Sequence, residues 1–123
     1  MVDDHETVRT GVRVTLAREP HFEICGEAEN GQDAVIKVQK LKPDAVILDV
    51  SMPVMNGLEA AREIRRVSPS TKIVMFSMHD SFQMIETARQ AGADAFVLKT
   101  APARELAGTI RDLLTDKNGN GFH

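Results

Sequence analysis

The stretch Asp44-Ala45-Val46-Ile47-Leu48-Asp49 decides the fold. Four consecutive apolar residues stand between two acids, with no polar alternation. Such a run fits a strand buried on both faces, the kind found in parallel sheets covered by helices. Two more runs of this type occur downstream: Ile73-Val74-Met75-Phe76, closing on Ser77, and Ala95-Phe96-Val97-Leu98, closing on Lys99. Helical spacing separates them. Leu58, Ala61 and Ile64 define one helix, Phe82, Ile85 and Ala88 another that stops at Gly92, and Leu106, Ile110 and Leu113 a last one. Strands alternating with helices predict an α/β domain built on a parallel sheet.

The upstream part fits the same scheme. Val8, Val12 and Leu16 recur every fourth residue, which predicts a helix from about His5 to Arg18, with Pro20 just past its end. Phe22 to Glu27 reads as a strand, and Cys25 within it as a small buried residue. Asn30-Gly31 is a turn signal. Ala34, Val35, Val38 and Leu41 mark a second helix, stopped by Pro43. Val50 to Gly57 reads as a loop, broken by Pro53 and Asn56-Gly57. The expected domain covers residues 1–115, with 116–123 as a flexible tail containing Asn118-Gly119-Asn120-Gly121.

Size and composition agree with one globular domain. The chain has 123 residues, of which 42% are hydrophobic and 27% charged. The 15 basic and 18 acidic residues give a formal charge of −3, which argues against a surface that coats nucleic acid. A single cysteine rules out an internal disulfide. No apolar run approaches the ~20 residues that span a bilayer, and no signal-peptide pattern opens the chain, so the cytoplasm is expected. His5, His21, His79 and His123 lack the spacing of a structural zinc site.

Ligands of parallel α/β sheets bind beyond the carboxyl ends of the strands. Asp3 and Asp4 come after a short apolar stub, Asp49 after the third strand, Ser77 after the fourth and Lys99 after the fifth. Three clustered carboxylates repel one another, and a hard dication such as Mg²⁺ relieves that repulsion. The cation and Lys99 could neutralise a phosphoryl group in transfer. A carboxylate can be the nucleophile and form an aspartyl phosphate. Each residue also has a plainer reading: Asp3 and Asp4 as helix caps, Ser77 as a loop serine, Lys99 as a solvated lysine, Phe96 as core.

The segments Val2-Asp3-Asp4-His5, Leu48-Asp49-Val50-Ser51-Met52-Pro53-Val54-Met55-Asn56-Gly57, Phe76-Ser77-Met78-His79-Asp80 and Phe96-Val97-Leu98-Lys99 resemble response-regulator receiver domains of two-component systems. Their phrasing is similar to the NarL/FixJ-like subgroup, and the resemblance runs from Val2 to about Leu114. It implies a flavodoxin-like, doubly wound (βα)5 sheet. It implies Asp49 as phosphoacceptor, Lys99 as a phosphate partner, and Ser77 and Phe96 as the switch pair. It places Mg²⁺ on Asp3, Asp4, Asp49 and the backbone carbonyl of Ser51. The side chains of Ser51 and His79 would tune dephosphorylation.

The implied partners are a sensor histidine kinase and a second copy or an output domain or protein. Direct DNA binding by this chain and membrane association are not expected. The chain would be a signalling switch that promotes only its own phosphorylation and dephosphorylation, not an enzyme with a separate substrate. Two other readings compete. A phosphatase or phosphotransferase of another doubly wound type usually needs a substrate-covering cap, and no insertion here is long enough. A non-phosphorylated interaction module would usually lack some of the acids, Ser77 or Lys99.

One departure stands out. Only Met1 and Val2 precede Asp3, where the family pattern has a full apolar strand. Either the true start lies upstream or something else fills the gap, a partner strand included. The shortening is expected to lower stability and loosen Asp3 and Asp4.

Overall fold

The structure is a computed structural model that describes residues 1–3, 5–20, 22–50, 56–78 and 81–115. Five helices and three strands run in the order α1 (Glu6–Ala17), α2 (Gly31–Leu41), β1 (Ala45–Asp49), α3 (Gly57–Val67), β2 (Lys72–Ser77), α4 (Phe82–Gln90), β3 (Ala95–Leu98) and α5 (Ala103–Thr115). The strands are parallel in the order β1-β2-β3. Asp49 stands opposite Phe76, and Ser77 opposite Leu98. The ends of the three strands therefore share one rim.

Alternate strand residues feed two cores, one on each side of the sheet. Val46, Leu48, Ile73 and Met75 pack with Ala34 and Val38 of α2, Ala60, Ala61 and Ile64 of α3, and Ala88 of α4. Ile47, Val74, Phe76, Ala95 and Val97 pack with Val12 and Leu16 of α1 and with Leu106, Ala107, Ile110 and Leu113 of α5. Burial on both faces explains why the strand sequences are continuously apolar.

Arg65 of α3 ties helix to sheet from outside. Its guanidinium donates to the Gly92 carbonyl and, at 2.6 Å, to Asp94 Oδ2, which also accepts the Ile73 N–H at 2.8 Å.

The N-terminal stretch sits between two neighbours. Val2 forms isolated parallel bridges to Leu48 on one side and Ala28 on the other. The Val2 N–H donates to the Ile47 carbonyl at 2.7 Å, and the Asp49 N–H to the Val2 carbonyl at 2.9 Å. The Ala28 N–H donates to the Met1 carbonyl at 3.0 Å, and the Asp3 N–H to the Ala28 carbonyl at 3.1 Å. With these bridges the order is that of a flavodoxin-like sheet.

Two expectations need correction. Phe22 to Glu27 forms no strand, because the Met1–Asp3 stretch bonds it only near its end, at Gly26 and Ala28. Phe22 and Ile24 still pack on the α1–α5 core, while Glu23 and Cys25 face outward. Cys25 is thus exposed, not buried. Between this segment and β1 lies a cleft of about 440 Å³, lined by Met1, Phe22, Ile24, Ala45 and Ile47 among others.

Three or four apolar residues added ahead of Met1 should enter this cleft and pair with both neighbours. The melting temperature is expected to rise by several degrees in a thermal unfolding experiment. An unchanged midpoint would show that the added segment does not pair there.

Candidate functional site

Asp3, Asp49 and Lys99 come together at the carboxyl rim of the sheet. Asp3 is carried by the bridged Met1–Asp3 stretch and is fully buried. Asp49 ends β1, and Lys99 comes directly after β3. Lys99 Nζ donates to Asp3 Oδ2 at 2.7 Å and lies 3.2 Å from Asp49 Oδ1. It also stands 5.8 Å from the centre of the Phe76 ring, within the range of a cation–π contact. The other Asp3 oxygen, Oδ1, accepts the His5 backbone N–H at 2.8 Å and lies 3.2 Å from His5 Nδ1.

These groups are withdrawn from water. The Lys99 side chain is 10% exposed, that of Asp49 7% and that of Asp3 0%. Burial alone would lower the Lys99 pKa. The hydrogen bond to Asp3 and the negative charges of Asp49 and Asp3 outweigh it and hold the ammonium above its ordinary range. Among the described residues, Asp3 and Asp49 place carboxyl oxygens from two acids at one point, a donor set that suits a hard dication. Asp3, His5 and Asp49 offer ligand atoms that all lie within 4.8 Å of one another.

Ser77 is buried at the end of β2, and its carbonyl accepts the Lys99 N–H at 2.7 Å. Phe96 lies in β3 opposite Met75, partly buried against the α2–α3–α4 core. Asp4, Ser51 and His79 lie outside the described residues.

Two positioning residues are not evident from the sequence motifs. Arg9 of α1 donates from Nη1 to the Asp3 carbonyl at 2.5 Å, and its Nε lies 3.4 Å from Glu27 Oε1. Only 12% of its side chain is exposed. The signal was available: Arg9 stands three residues before Val12 and seven before Leu16, on the buried stripe of the helix. A charge on such a stripe points to a partner.

The second is Gly57, the first residue of α3. Its N–H donates to the Val50 carbonyl at 2.9 Å, and a Cβ added there would sit 2.1 Å from the Asp49 carbonyl oxygen. The helix backbone thus rests directly on the residue that carries the candidate nucleophile. Asn56 caps this helix by accepting the Glu59 N–H at 2.9 Å, and Glu59 accepts the Asn56 N–H in return.

The profile described as "Response regulator receiver domain" matches residues 1–111. The chain belongs to this receiver family. The response regulator protein VraR of Staphylococcus epidermidis is 37% identical over 110 residues, covering 89% of this chain and 53% of VraR. The chain spans about half the length of the curated relatives it matches.

Among solved structures, a LuxR-family two-component response regulator from Aurantimonas sp. SI85-9A1 superposes with a TM-score of 0.91 at 32% identity. The match covers 99% of this chain and 85% of that one. The receiver domain of the putative response regulator NarL from Mycobacterium tuberculosis gives 0.89 at 30% identity, covering 94% of both chains. The receiver fold and its place in phosphorylation-based two-component signalling are established by these matches.

Gly57→Ala should destabilise this receiver by about 2–3 kcal/mol, since backbone and not a flexible side chain blocks the new methyl. Chemical denaturation measures the loss. Lys99→Ala leaves two buried carboxylates without their counter-charge, at a cost of about 3 kcal/mol. Millimolar Mg²⁺ should narrow the melting-temperature gap between this variant and the parent, because a dication can take over the neutralising role. A gap indifferent to Mg²⁺ would argue against cation binding at these acids.

Proposed function

We propose that this receiver accepts a phosphoryl group on Asp49 from a sensor histidine kinase, with Mg²⁺ bound, and passes the signal on through a change of conformation. The observation that carries this reading is the Lys99 ammonium held between Asp3 Oδ2 and Asp49 Oδ1 at the sheet rim. An Asp49 carboxylate oxygen is the nucleophile in an in-line displacement at phosphorus, its O–P bond forming as the N–P bond to the kinase's phosphorylated histidine breaks and the imidazole leaves. Lys99 compensates the charge that gathers on the phosphoryl oxygens. Asp3, Asp4, Asp49 and the Ser51 carbonyl hold Mg²⁺, with Asp4 and Ser51 carried over from the family resemblance. When bound, the ion draws off negative charge from the transferring group.

Phosphorylation replaces one carboxylate charge with a group carrying roughly −1.5 to −2 charges and three acceptor oxygens. Ser77, buried one strand away, supplies a hydroxyl to one of those oxygens. Its inward movement vacates space on the side where Phe96 packs, and the two act as the switch. The family resemblance assigns the tuning of the acyl phosphate's hydrolysis to Ser51 and His79. A second copy or an output domain or protein reads the result. The same reading puts the switch in the cytoplasm and expects no direct DNA contact by this chain, with 1–115 as the phosphoacceptor domain and 116–123 as a tail.

Intact mass after incubation with a small acyl-phosphate donor tests the assignment. The parent chain should gain one phosphoryl group only when Mg²⁺ is present, and Asp49→Ala should gain none. A folded parent that gains nothing would favour a non-phosphorylated interaction module. Phosphorylation that survives Asp49→Ala would place the acceptor elsewhere.

A further inference from the structure

We infer that Arg9 is a positioning residue for the proposed phosphoryl transfer: it fixes the main chain of Asp3 and thereby sets the Mg²⁺ concentration at which the reaction runs. The inference rests on the reading of Asp3 as a cation ligand. It concerns a side chain that touches neither the cation nor the phosphoryl group in that reading.

Arg9 occupies a costly place. It lies on the buried stripe of α1 with only 12% of its side chain exposed. A guanidinium is withdrawn from water to that extent only where acceptors meet it. Its Nη1 donates to the Asp3 carbonyl at 2.5 Å, its Nε lies 3.4 Å from Glu27 Oε1, and its Nη2 lies 3.9 Å from Glu29 Oε1. Glu27 is itself held by Arg13, which donates from Nε at 2.9 Å and from Nη2 at 2.6 Å. The next residue, Ala28, accepts the Asp3 N–H at 3.1 Å. One short segment, Glu27–Ala28, therefore fixes both ends of the Asp3 main chain: the N–H directly and the carbonyl through Arg9.

The side-chain bonds of Asp3 are of another kind. Its Oδ1 accepts the His5 N–H and its Oδ2 accepts Lys99 Nζ. A cation draws on those same two oxygens, so these bonds change when it binds. The main-chain bonds involve atoms that no cation needs and persist through binding. They are what keeps the carboxylate aimed while its own partners are exchanged.

Charge and geometry predict opposite signs for the loss of Arg9. By charge alone, removing a cation beside an acid should tighten dication binding. That effect is small here, because Glu27 and Glu29 face Arg9 and Arg13 and leave little net charge. By geometry, removing the grip on the Asp3 carbonyl should weaken binding. Lysine is a poor substitute, since its single ammonium does not reproduce the planar fork that spans a carbonyl and a carboxylate.

Calorimetric titration of the full chain with Mg²⁺, well below the melting temperature, tests the assignment. Arg9→Met should weaken Mg²⁺ binding by about tenfold, and Arg9→Lys should restore only part of it. With a small acyl-phosphate donor, Arg9→Met should need a correspondingly higher Mg²⁺ concentration for half-maximal phosphorylation, yet reach the parent's rate at saturating Mg²⁺. Arg65→Met is the control for general stability. It breaks the bonds to Gly92 and Asp94 at the opposite end of the sheet and should lower the melting temperature without changing Mg²⁺ affinity. Should Arg9→Met fail to fold, Glu27→Gln decides: it leaves Arg9 in place with a weaker anchor and should bind Mg²⁺ less tightly than the parent.

Unchanged or tighter Mg²⁺ binding in Arg9→Met overturns the inference, as does unchanged binding in Glu27→Gln where that variant decides. An equal loss in Arg65→Met overturns it too, because the effect would then be one of stability. Weakened binding in Arg9→Met, in a parent chain that gains no phosphoryl group, upholds Arg9 as the residue that positions Asp3 and removes the phosphoacceptor reading. A parent chain that takes up no Mg²⁺ overturns both.

Discussion

The ammonium of Lys99 is the charge around which the acids at the carboxyl rim of the sheet are arranged. It hydrogen-bonds Asp3 at 2.7 Å and stands 3.2 Å from Asp49, although the three residues come from far-apart parts of the chain. Burying two carboxyl groups at such low exposure is costly, and the ammonium between them offsets that cost. Each partner reaches the rim because a different segment ends there: the bridged N-terminus, β1 and β3. The pairing therefore requires that the sheet be assembled, and it converts correct strand order into electrostatic relief.

Much of this was legible in the sequence because burial on both faces leaves an unambiguous mark. The runs Ala45–Leu48, Ile73–Phe76 and Ala95–Leu98 appear as strands within a residue or so of the expected ends. The five expected helices form as well. The acids, Ser77 and Lys99 stand out in the sequence because each sits at a strand's carboxyl end, and the structure brings Asp3, Asp49 and Lys99 into contact. The expectation failed at Phe22–Glu27. Its apolar alternation at Phe22 and Ile24 was genuine and still buries those rings and methyls. A strand, however, is defined by its neighbour's backbone, and local composition does not reveal how much neighbour is present. Cys25 was misplaced for the same reason.

Arg9 and Gly57 were missed because their roles depend on what the fold brings against them. Arg9 grips a carbonyl six residues earlier and an acid eighteen residues later. Gly57 looked like turn punctuation, yet its lack of a side chain is what admits the backbone of Asp49. Both hold the acids from behind: one supports the main chain of Asp3, the other that of Asp49. The site thus rests on main-chain contacts as much as on charge. Asp3 is seated by main-chain bonds, with Val2 beside it bridging Leu48 and Ala28.

The division of each strand between two cores has a consequence for chemistry. In β1, Val46 and Leu48 belong to one core and Ile47 to the other, and β2 divides in step with it. A slip of one residue between these strands would send every apolar side chain to the wrong face. It would also carry Asp49 about 3.3 Å along the rim, out of reach of Lys99. The pleat therefore acts as a ruler: the hydrophobic selection that forbids slippage also indexes Asp49 against the Lys99 ammonium. Errors in the spacing of these charges are excluded by the apolar interior before any charge is consulted.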